Sequence, residues 1–519
     1  MSSVATASNR TDEPPAATGK RLTDTGKLTS VPAGLLAGAL SGGLCFLAFP
    51  PVDAWVLAPV ALIPLAIHFS LAGRGAVAAS GAAFGLVFNG LLLYWIRLFG
   101  PAPYVALTIV QTLWIVAALL LGVLVRDRMP ERLRILALPL VFLLQEFFRS
   151  QMPWGGFAWG GLGYTQHNNL PALKLAAYTG VWGLSLAVAL VNCLLAWAFM
   201  NYRTDRKRAL AFVGGVVALA LLPGLLPVSS PAGETAKIAM VQGNVPRNTL
   251  DPNSDDDIVV DNHLRLTEEL DDADLVVWPE GAFDVDPLTR PDYRETLLGA
   301  VERQESPFLV GAILGSGTDD VRNSSLFINA DGTPGDSYTK QRLVPFGEFV
   351  PLRSFLQPKF EEINRIPVDL SAGTEATVFE IPQGKFASVI CYESTYADLV
   401  RTFVNRGARM LVVSTNFSSF DLSAASAQHV AFSQLRAAEQ RMWVAHASIS
   451  GISAVVDPQG RVLETTNLFE PAVLTPTVRF ATTTTPYAKL GDWVPWGAVL
   501  AVIGSLVAPF FRRRPKPES

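Results

Sequence analysis

The sequence predicts two architectures in one chain. One is a polytopic α-helical membrane domain of about eight transmembrane helices, and the other is an α/β domain placed before the last of them. Three observations carry this. Hydrophobic residues make up 50% of the 519 and charged ones only 17%, too oily a balance for a wholly soluble chain of this length. Apolar runs close to the ~20 residues a bilayer core requires recur through the first 228 positions and again near the end. Between them, from Thr235, short apolar strands alternate with amphipathic segments, the pattern of a layered α/β unit. A net charge of −4 leaves no basic field for nucleic acid.

In chain order, residues 1–30 are polar and rich in Ser, Thr, Ala and Pro, and read as a disordered cytoplasmic tail. That lead is long for a signal peptide and further spans follow, so the first apolar run reads as a retained anchor. Candidate spans are 32–49, 54–72, 76–98, 103–125, 133–149, 171–200, 209–227 and 492–511. Gly34, Gly38 and Gly42 repeat at four-residue spacing, which suits close helix packing in lipid. The positive clusters at Arg74, Arg126 to Arg134, Arg203 to Arg208 and Arg512 to Lys516 fall in alternate loops. The positive-inside rule places them in the cytoplasm with both termini. The chain then divides into 1–30, a seven-helix membrane domain 31–228, an extracytoplasmic domain 229–490, a final helix 491–511 and a basic tail 512–519. Glu146 and Arg149, near a span end, read as a helix-face pair. The Trp- and Gly-rich loop 150–170 reads either as an interfacial aromatic belt or as a rim where lipid approaches the outer domain.

In the outer domain the expected strands are 236–242, 274–279, 307–314, 324–329, 376–381, 386–391, 409–414, 442–448 and 452–457. The expected helices are 257–272, 290–304, 394–406 and 424–441. The stretch 341–373 lacks periodicity, and a loop of that length is usually functional. Its apolar residues, among them Leu343, Phe346, Phe349, Leu352, Phe355, Leu356 and Phe360, either cover a lipid-facing site or pack a small satellite core.

Cys45 and Cys193 lie in apolar runs, which leaves Cys391 as the single cysteine of the polar part of the chain. It ends an apolar strand and opens the polar segment Tyr392-Glu393-Ser394, a natural setting for an exposed nucleophile. A lone cysteine is more often a small core hydrophobe, and two other stretches reverse that reading. A thiol attacking an ester or amide must lose its proton and its leaving group must gain one, work that a carboxylate performs in turn. Glu280, leaving an apolar strand after Trp278-Pro279, has that chemistry. A fixed cation stabilises the oxyanion that develops in a dry site, and Lys340 supplies one, with Glu348 either to hold it charged and oriented or to help Glu280.

Trp278-Pro279-Glu280, Lys340 and Cys391-Tyr392-Glu393 resemble, in type and order, the Glu-Lys-Cys triad of the nitrilase (carbon-nitrogen hydrolase) superfamily. With the membrane half included, through Glu146, Arg149, Pro153-Trp154 and Gly163 to Gln166, the chain is similar to apolipoprotein N-acyltransferases. Gln242-Gly243-Asn244, Pro345-Phe346-Gly347-Glu348, Gln428-His429 and Arg436-Ala437-Ala438-Glu439 extend the resemblance. It implies an αββα sandwich in the bacterial cytoplasmic (inner) membrane, facing outward, in a monomer that uses no cofactor or metal. It also implies transfer of an acyl chain from a phospholipid, typically phosphatidylethanolamine, through a Cys391 thioester to a diacylglyceryl-prolipoprotein amine. Glu280 is then general base and acid, Lys340 the oxyanion partner, and Glu348, Tyr392 and Glu393 shape the site. Two departures stand out: 247–257 lacks the family's tryptophan, and Thr415 to Asp421 replaces its Ser-Asn-Asp-Ala-Trp-Phe-Gly pattern. They are expected to reshape aromatic contacts of the acyl or acceptor pocket, and they resemble actinobacterial members.

Two rival readings remain. A membrane-tethered amidase would use the same three residues, although a single anchor would serve it. A transporter or lipid-binding scaffold would carry charged residues along its spans, which are nearly free of them.

Overall fold

The computed structural model describes residues 28–245, 252–360, 363–364 and 366–511, with the backbone alone at 252–257 and 509–511. The predicted tails therefore lie outside the described residues apart from 28–30, as does part of the 247–257 departure.

All eight predicted spans contain helix. Four helices are long and apolar enough to cross a membrane, Arg74–Leu92, Pro101–Arg128, Leu170–Asn201 and Arg206–Leu225. Shorter apolar helical segments occupy Val31–Leu47, Trp55–Leu71 and Trp493–Ala508, and Ala137–Arg149 fills the fifth predicted position. The second segment is broken into a 3-10 turn and two short helices, Ala58–Ala61 and Ile63–Leu71. Each short helix carries a proline in its first turn, where the missing N–H costs nothing but a longer helix cannot run through. The third ends at Leu92 rather than 98, and Tyr94–Phe99 forms a separate 3-10 turn. The predicted glycine stripe is a contact. A Cβ on Gly38 would lie 2.1 Å from the Ser80 carbonyl oxygen, so Val31–Leu47 rests backbone-close on Arg74–Leu92.

Beyond residue 234 the chain folds into two sheets. The first has the order β12-β1-β2-β3-β4-β5, with β1 Thr235–Gln242, β2 Leu275–Phe283, β3 Phe308–Leu314, β4 Arg322–Ile328, β5 Pro334–Thr339 and β12 Ala472–Leu474. A further strand, β13 Thr477–Arg479, pairs with β1. The second sheet runs β11-β10-β9-β8-β7-β6, with β6 Val378–Ile381, β7 Gly384–Ile390, β8 Leu411–Thr415, β9 Val444–Ser448, β10 Ala454–Val456 and β11 Val462–Thr465. Each sheet has a parallel centre (β1-β2-β3 and β7-β8-β9) with antiparallel flanks. β1 and β2 pack on β8 and β9, and β4 packs on β7. Pro252–Glu268 and Pro291–Gln304 cover the outer face of the first sheet through Val260, Leu297 and Val301. Ala397–Asn405 and Ala425–Gln440 cover the second sheet, completing αββα. The sequence passes over β5 and β11 to β13, which are short or largely exposed edges; β5 opens Pro-Gly-Asp, residues with little strand preference.

The helix Ala425–Gln440 is also the seat of the sandwich on the membrane helices, where it packs on Leu170–Asn201. Gln428 Oε1 accepts from the indoles of Trp95 (3.3 Å) and Trp159 (2.6 Å), and its Nε2 donates to the Pro50 carbonyl. Gln434 donates to the His167 carbonyl, and Arg436 to the Tyr164 hydroxyl. The loops 48–54, 93–100 and 150–169 thus gather under the sandwich, whereas Arg126, at the far end of its helix, donates to the carbonyls of Phe69 and Ala72.

Two expectations change here. Most aromatic residues of 150–170 pack beneath the sandwich rather than forming a lipid belt; Met152 and Trp154 alone among its large apolar side chains stay exposed. Glu146 and Arg149 do not bond to each other. Arg149 Nη1 donates to Gln111 Oε1 and the Trp159 carbonyl, while Glu146 Oε1 accepts from Leu162 N–H at 2.9 Å. A loop rich in glycine offers its backbone groups to both side chains, and the pair clamps the loop.

Candidate active site

Glu280 lies in β2, two residues beyond Trp278, which is wedged against Phe283 and Phe308 and donates its indole N–H to Thr267. The next residue must be glycine. Gly281 has φ +78°, and a Cβ there would lie 2.4 Å from the Asn416 side chain. That close approach lets Asn416 N–H reach Glu280 Oε2 at 2.8 Å. Glu280 Oε1 accepts from Asn323 Nδ2 at 2.7 Å and from Lys340 Nζ at 3.3 Å.

Lys340 follows the last residue of β5, with its backbone N–H on the Asn323 carbonyl. Its side chain is 1% exposed, and Nζ also donates to Glu348 Oε1 at 2.7 Å. Glu348 is held by Val344 N–H on Oε2 and by Asn323 Nδ2 on Oε1. Burial opposes the lysine charge, but the Glu280 and Glu348 carboxylates outweigh it and hold the ammonium well above its ordinary pKa. An ammonium has three donors; the described bonds use two, and a third is left for an oxyanion.

Cys391 opens the 3-10 turn Cys391–Thr395 directly after β7, with φ +51°, a backbone region that costs a non-glycine residue energy. It is half-buried, and close enough to Lys340 and Glu280 that both charges act on its sulfur. Burial, then the Glu280 carboxylate, push the thiol up, while Lys340 and the Asn416 N–H pull the other way. Cys391 is therefore held as a thiol that would need a base to react, and Glu280 is the carboxylate beside it.

The supporting residues divide by role. Glu393 is fully buried; Oε1 accepts from the Tyr338 hydroxyl and from the N–H groups of Gln341 and Arg342, and Oε2 from Ile390 N–H. It ties the strand before the cysteine to the segment after the lysine. Burial pushes its carboxyl up, and the Ile390 and Arg342 N–H groups oppose this. Tyr392 points to the membrane side, where its hydroxyl donates to the Gly156 carbonyl at 3.2 Å and its ring stacks on Phe157. The structure thus gathers Glu280, Lys340, Glu348 and Cys391 in one cluster, with Glu393 as a clamp and Tyr392 facing the loop 150–170. Sequence reading missed Asn323 and Asn416, which bind Glu280 from two sides. Only the departure at 415–421 singled out Asn416's neighbourhood; there Phe417 packs on His429, and Phe420 on Trp95 and Phe99.

The base of the loop 341–373 is tied down by Leu370 N–H on the Glu348 carbonyl and Gly373 N–H on the Lys340 carbonyl, and Arg353 pairs with Asp369. Its tip is apolar and open, with Leu352 60% and Phe355 59% exposed, while Leu343, Phe349 and Leu356 are half-buried. Among the described residues no group of three or more His, Cys, Asp or Glu side chains is arranged to hold a metal ion.

Comparison with known proteins agrees with this arrangement in both halves. The family model described as the apolipoprotein N-acyltransferase N-terminal domain matches residues 41–194, and the carbon-nitrogen hydrolase model matches 237–486. The apolipoprotein N-acyltransferase of Mycolicibacterium smegmatis is 33% identical over 91% of this chain and 84% of its own. That of Gloeobacter violaceus is 30% identical over 91% and 93%. Among solved structures, Saccharomyces cerevisiae Nit3, of branch 10 of the nitrilase superfamily, is 18% identical with a TM-score of 0.36 over 49% of this chain and 93% of its own. Membrane base, sandwich and full-length relatives agree: this chain belongs to the apolipoprotein N-acyltransferase family.

Proposed function

We propose that this enzyme moves a fatty acyl chain from a membrane phospholipid, phosphatidylethanolamine by preference, to the α-amino group of a diacylglyceryl-cysteine lipoprotein. In the first half-reaction Cys391 Sγ attacks the ester carbonyl and its proton passes to Glu280. Lys340 Nζ bonds the oxyanion, the ester C–O bond breaks, and Glu280 returns the proton to the glycerol oxygen as a lysophospholipid departs. In the second, the amine attacks the thioester, the C–S bond breaks, and the amine proton passes through Glu280 to the departing sulfur, restoring the thiol.

The observation that carries this reading is the buried Glu280–Lys340–Glu348 cluster around Cys391 on a sandwich seated on apolar helices. The exposed apolar tip 352–360 favours lipid substrates over water-soluble amides, and family membership weighs the same way against the amidase reading. We place the sandwich outside the cytoplasmic membrane, because the described arginine clusters, Arg126 to Arg134 and Arg203 to Arg208, follow the ends of Pro101–Arg128 and Leu170–Asn201 that lie away from it. The divisions at 30, 228, 490 and 511 and a monomeric state complete the proposal. The test is the intact mass of purified protein incubated with phosphatidylethanolamine beside Cys391→Ala. A hydroxylamine-sensitive gain of one acyl chain, discharged by a diacylated lipopeptide, is expected; no adduct from any phospholipid would return the amidase reading.

A further inference from the structure

Cys391 holds a left-handed backbone conformation, and something must keep it there. Its carbonyl oxygen lies 3.0 Å from His429 Nε2. A carbonyl only accepts, so Nε2 carries the proton and donates. The Ser394 hydroxyl oxygen, 3.0 Å from the same nitrogen, lies within reach as a second acceptor. The imidazole is 1% exposed and boxed by rings: Phe417 at 5.0 Å, Trp159 stacked at 6.1 Å and His446 at 5.2 Å. Its Nδ1 has no hydrogen-bond partner, so one nitrogen of this histidine is committed and the other idle.

From this geometry we propose that His429 is a positioning residue for the acyl transfer, holding the Cys391 carbonyl so that the sulfur faces Glu280 and Lys340. The assignment rests on the reading of Cys391 as nucleophile. The platform is rigid: the preceding residue, Gln428, is fixed by two indoles and the Pro50 carbonyl, so the helix carrying His429 cannot slide on the membrane base. The ring stays neutral, because burial pushes it down to about 3, with Lys340 nearby adding to that and the Cys391 carbonyl opposing it. A neutral imidazole donates to the carbonyl without placing a second cation near the thiol. Small displacements of a reacting atom cost on the order of 100-fold in rate, and that is the scale at stake.

The experiment compares His429→Gln, which returns an N–H donor near the Nε2 position, with His429→Leu, which fills the space without one. His429→Asn, whose amide is too short to reach the carbonyl, serves as a second variant without a donor at that position if the leucine protein does not fold. Two rates are read on each purified protein: thioester formation from phosphatidylethanolamine, and alkylation of Cys391 by iodoacetamide, which needs no lipid. We expect Gln to stay within about threefold of wild type, and Leu and Asn to lose about 100-fold in thioester formation and about tenfold in alkylation. Equal rates for Gln, Leu and wild type would overturn the assignment, as would an equal loss in Gln and Leu with melting temperatures unchanged. A wild type that is alkylated but never acylated would overturn the acyl-transfer reading instead, and the alkylation series would still decide the role of His429.

Discussion

Lys340 Nζ lies 2.7 Å from Glu348 Oε1, nearer than the 3.3 Å that separates it from Glu280 Oε1. The closer glutamate is the one outside the proposed proton path. Both carboxylates hold the lysine charged, Glu280 first and Glu348 next, so Glu348 still pairs the buried cation when Glu280 carries a proton. Lys340→Met removes the cation and leaves two carboxylates facing each other. Losing one partner of a buried pair typically costs about 3–5 kcal/mol. We expect a lower melting temperature and no measurable thioester; acylation at the wild-type rate would remove Lys340 from the oxyanion role. Glu348→Gln keeps the shape and should fold, with Lys340 drawn toward Glu280 and thioester formation slowed about tenfold or more.

Glu280→Gln tests the base. The amide oxygen turned toward Asn323 and Lys340 still accepts from both and only the Asn416 N–H loses its acceptor, so the fold should hold with a modest fall in melting temperature. General-base contributions are typically about 10²- to 10⁴-fold, and thioester formation should fall by that order. The pH profile should change shape as well. Burial and the glutamates push the Cys391 thiol up, so without the base the residual rate should climb steadily with pH toward 9 and beyond. A flat profile in the variant would mean another group takes the proton.

The candidate cluster was legible because the chemistry needs a nucleophile, a base and a cation; Cys391 after β7 and Glu280 late in β2 each end an apolar run, whereas Lys340 follows the polar, largely exposed β5 and was readable only by its residue type and its place in the family's order. Glu348 was readable by its nearness to Lys340. The apolar helices were readable because runs of that composition leave the backbone few options besides helix, and four of them are long enough to cross a membrane. What stayed hidden is whatever depends on side chains meeting across separations of 43, 55 or 136 positions. Asn323, Asn416 and the clamp from Glu393 to Tyr338 satisfy buried polar groups, and nothing in their local sequence announces a partner. Glu146 and Arg149 look like neighbours on one helix turn, yet a glycine-rich loop outcompetes the pairing by presenting backbone groups to both. The edge strands escaped because an exposed strand carries no alternating apolar code.

Gln428 offers a separate test of how the two halves are joined. Gln428→Leu leaves two buried indole N–H groups and the Pro50 carbonyl without their partner, at about 1–3 kcal/mol each. We expect the melting temperature to fall, and proteolysis between sandwich and membrane helices to quicken. Unchanged protection would mean that the apolar packing of Ala425–Gln440 alone seats the sandwich.

Three of the five buried histidines, those in the sandwich, give the chain a predictable acid limit. Burial pushes His263 down to about 4 and His429 to about 3, and His446 lies well below its ordinary value. Unfolded, each would titrate near 6.5. The unfolded chain thus binds more protons between those limits, so stability from the neutral folded rings is complete above about 6.5 and is lost as pH falls through the folded values. For His263 the gap amounts to about 3 kcal/mol at full extent. His263 Nδ1 meets the Val259 carbonyl at 2.7 Å within the helix Pro252–Glu268, and asparagine places a donor at that position. In melts of the detergent-solubilised protein from pH 7.5 to 5, the midpoint should fall steadily for wild type and less steeply for His263→Asn. Parallel curves would show that His263 is already neutral in the unfolded chain over this range, or protonated in both states.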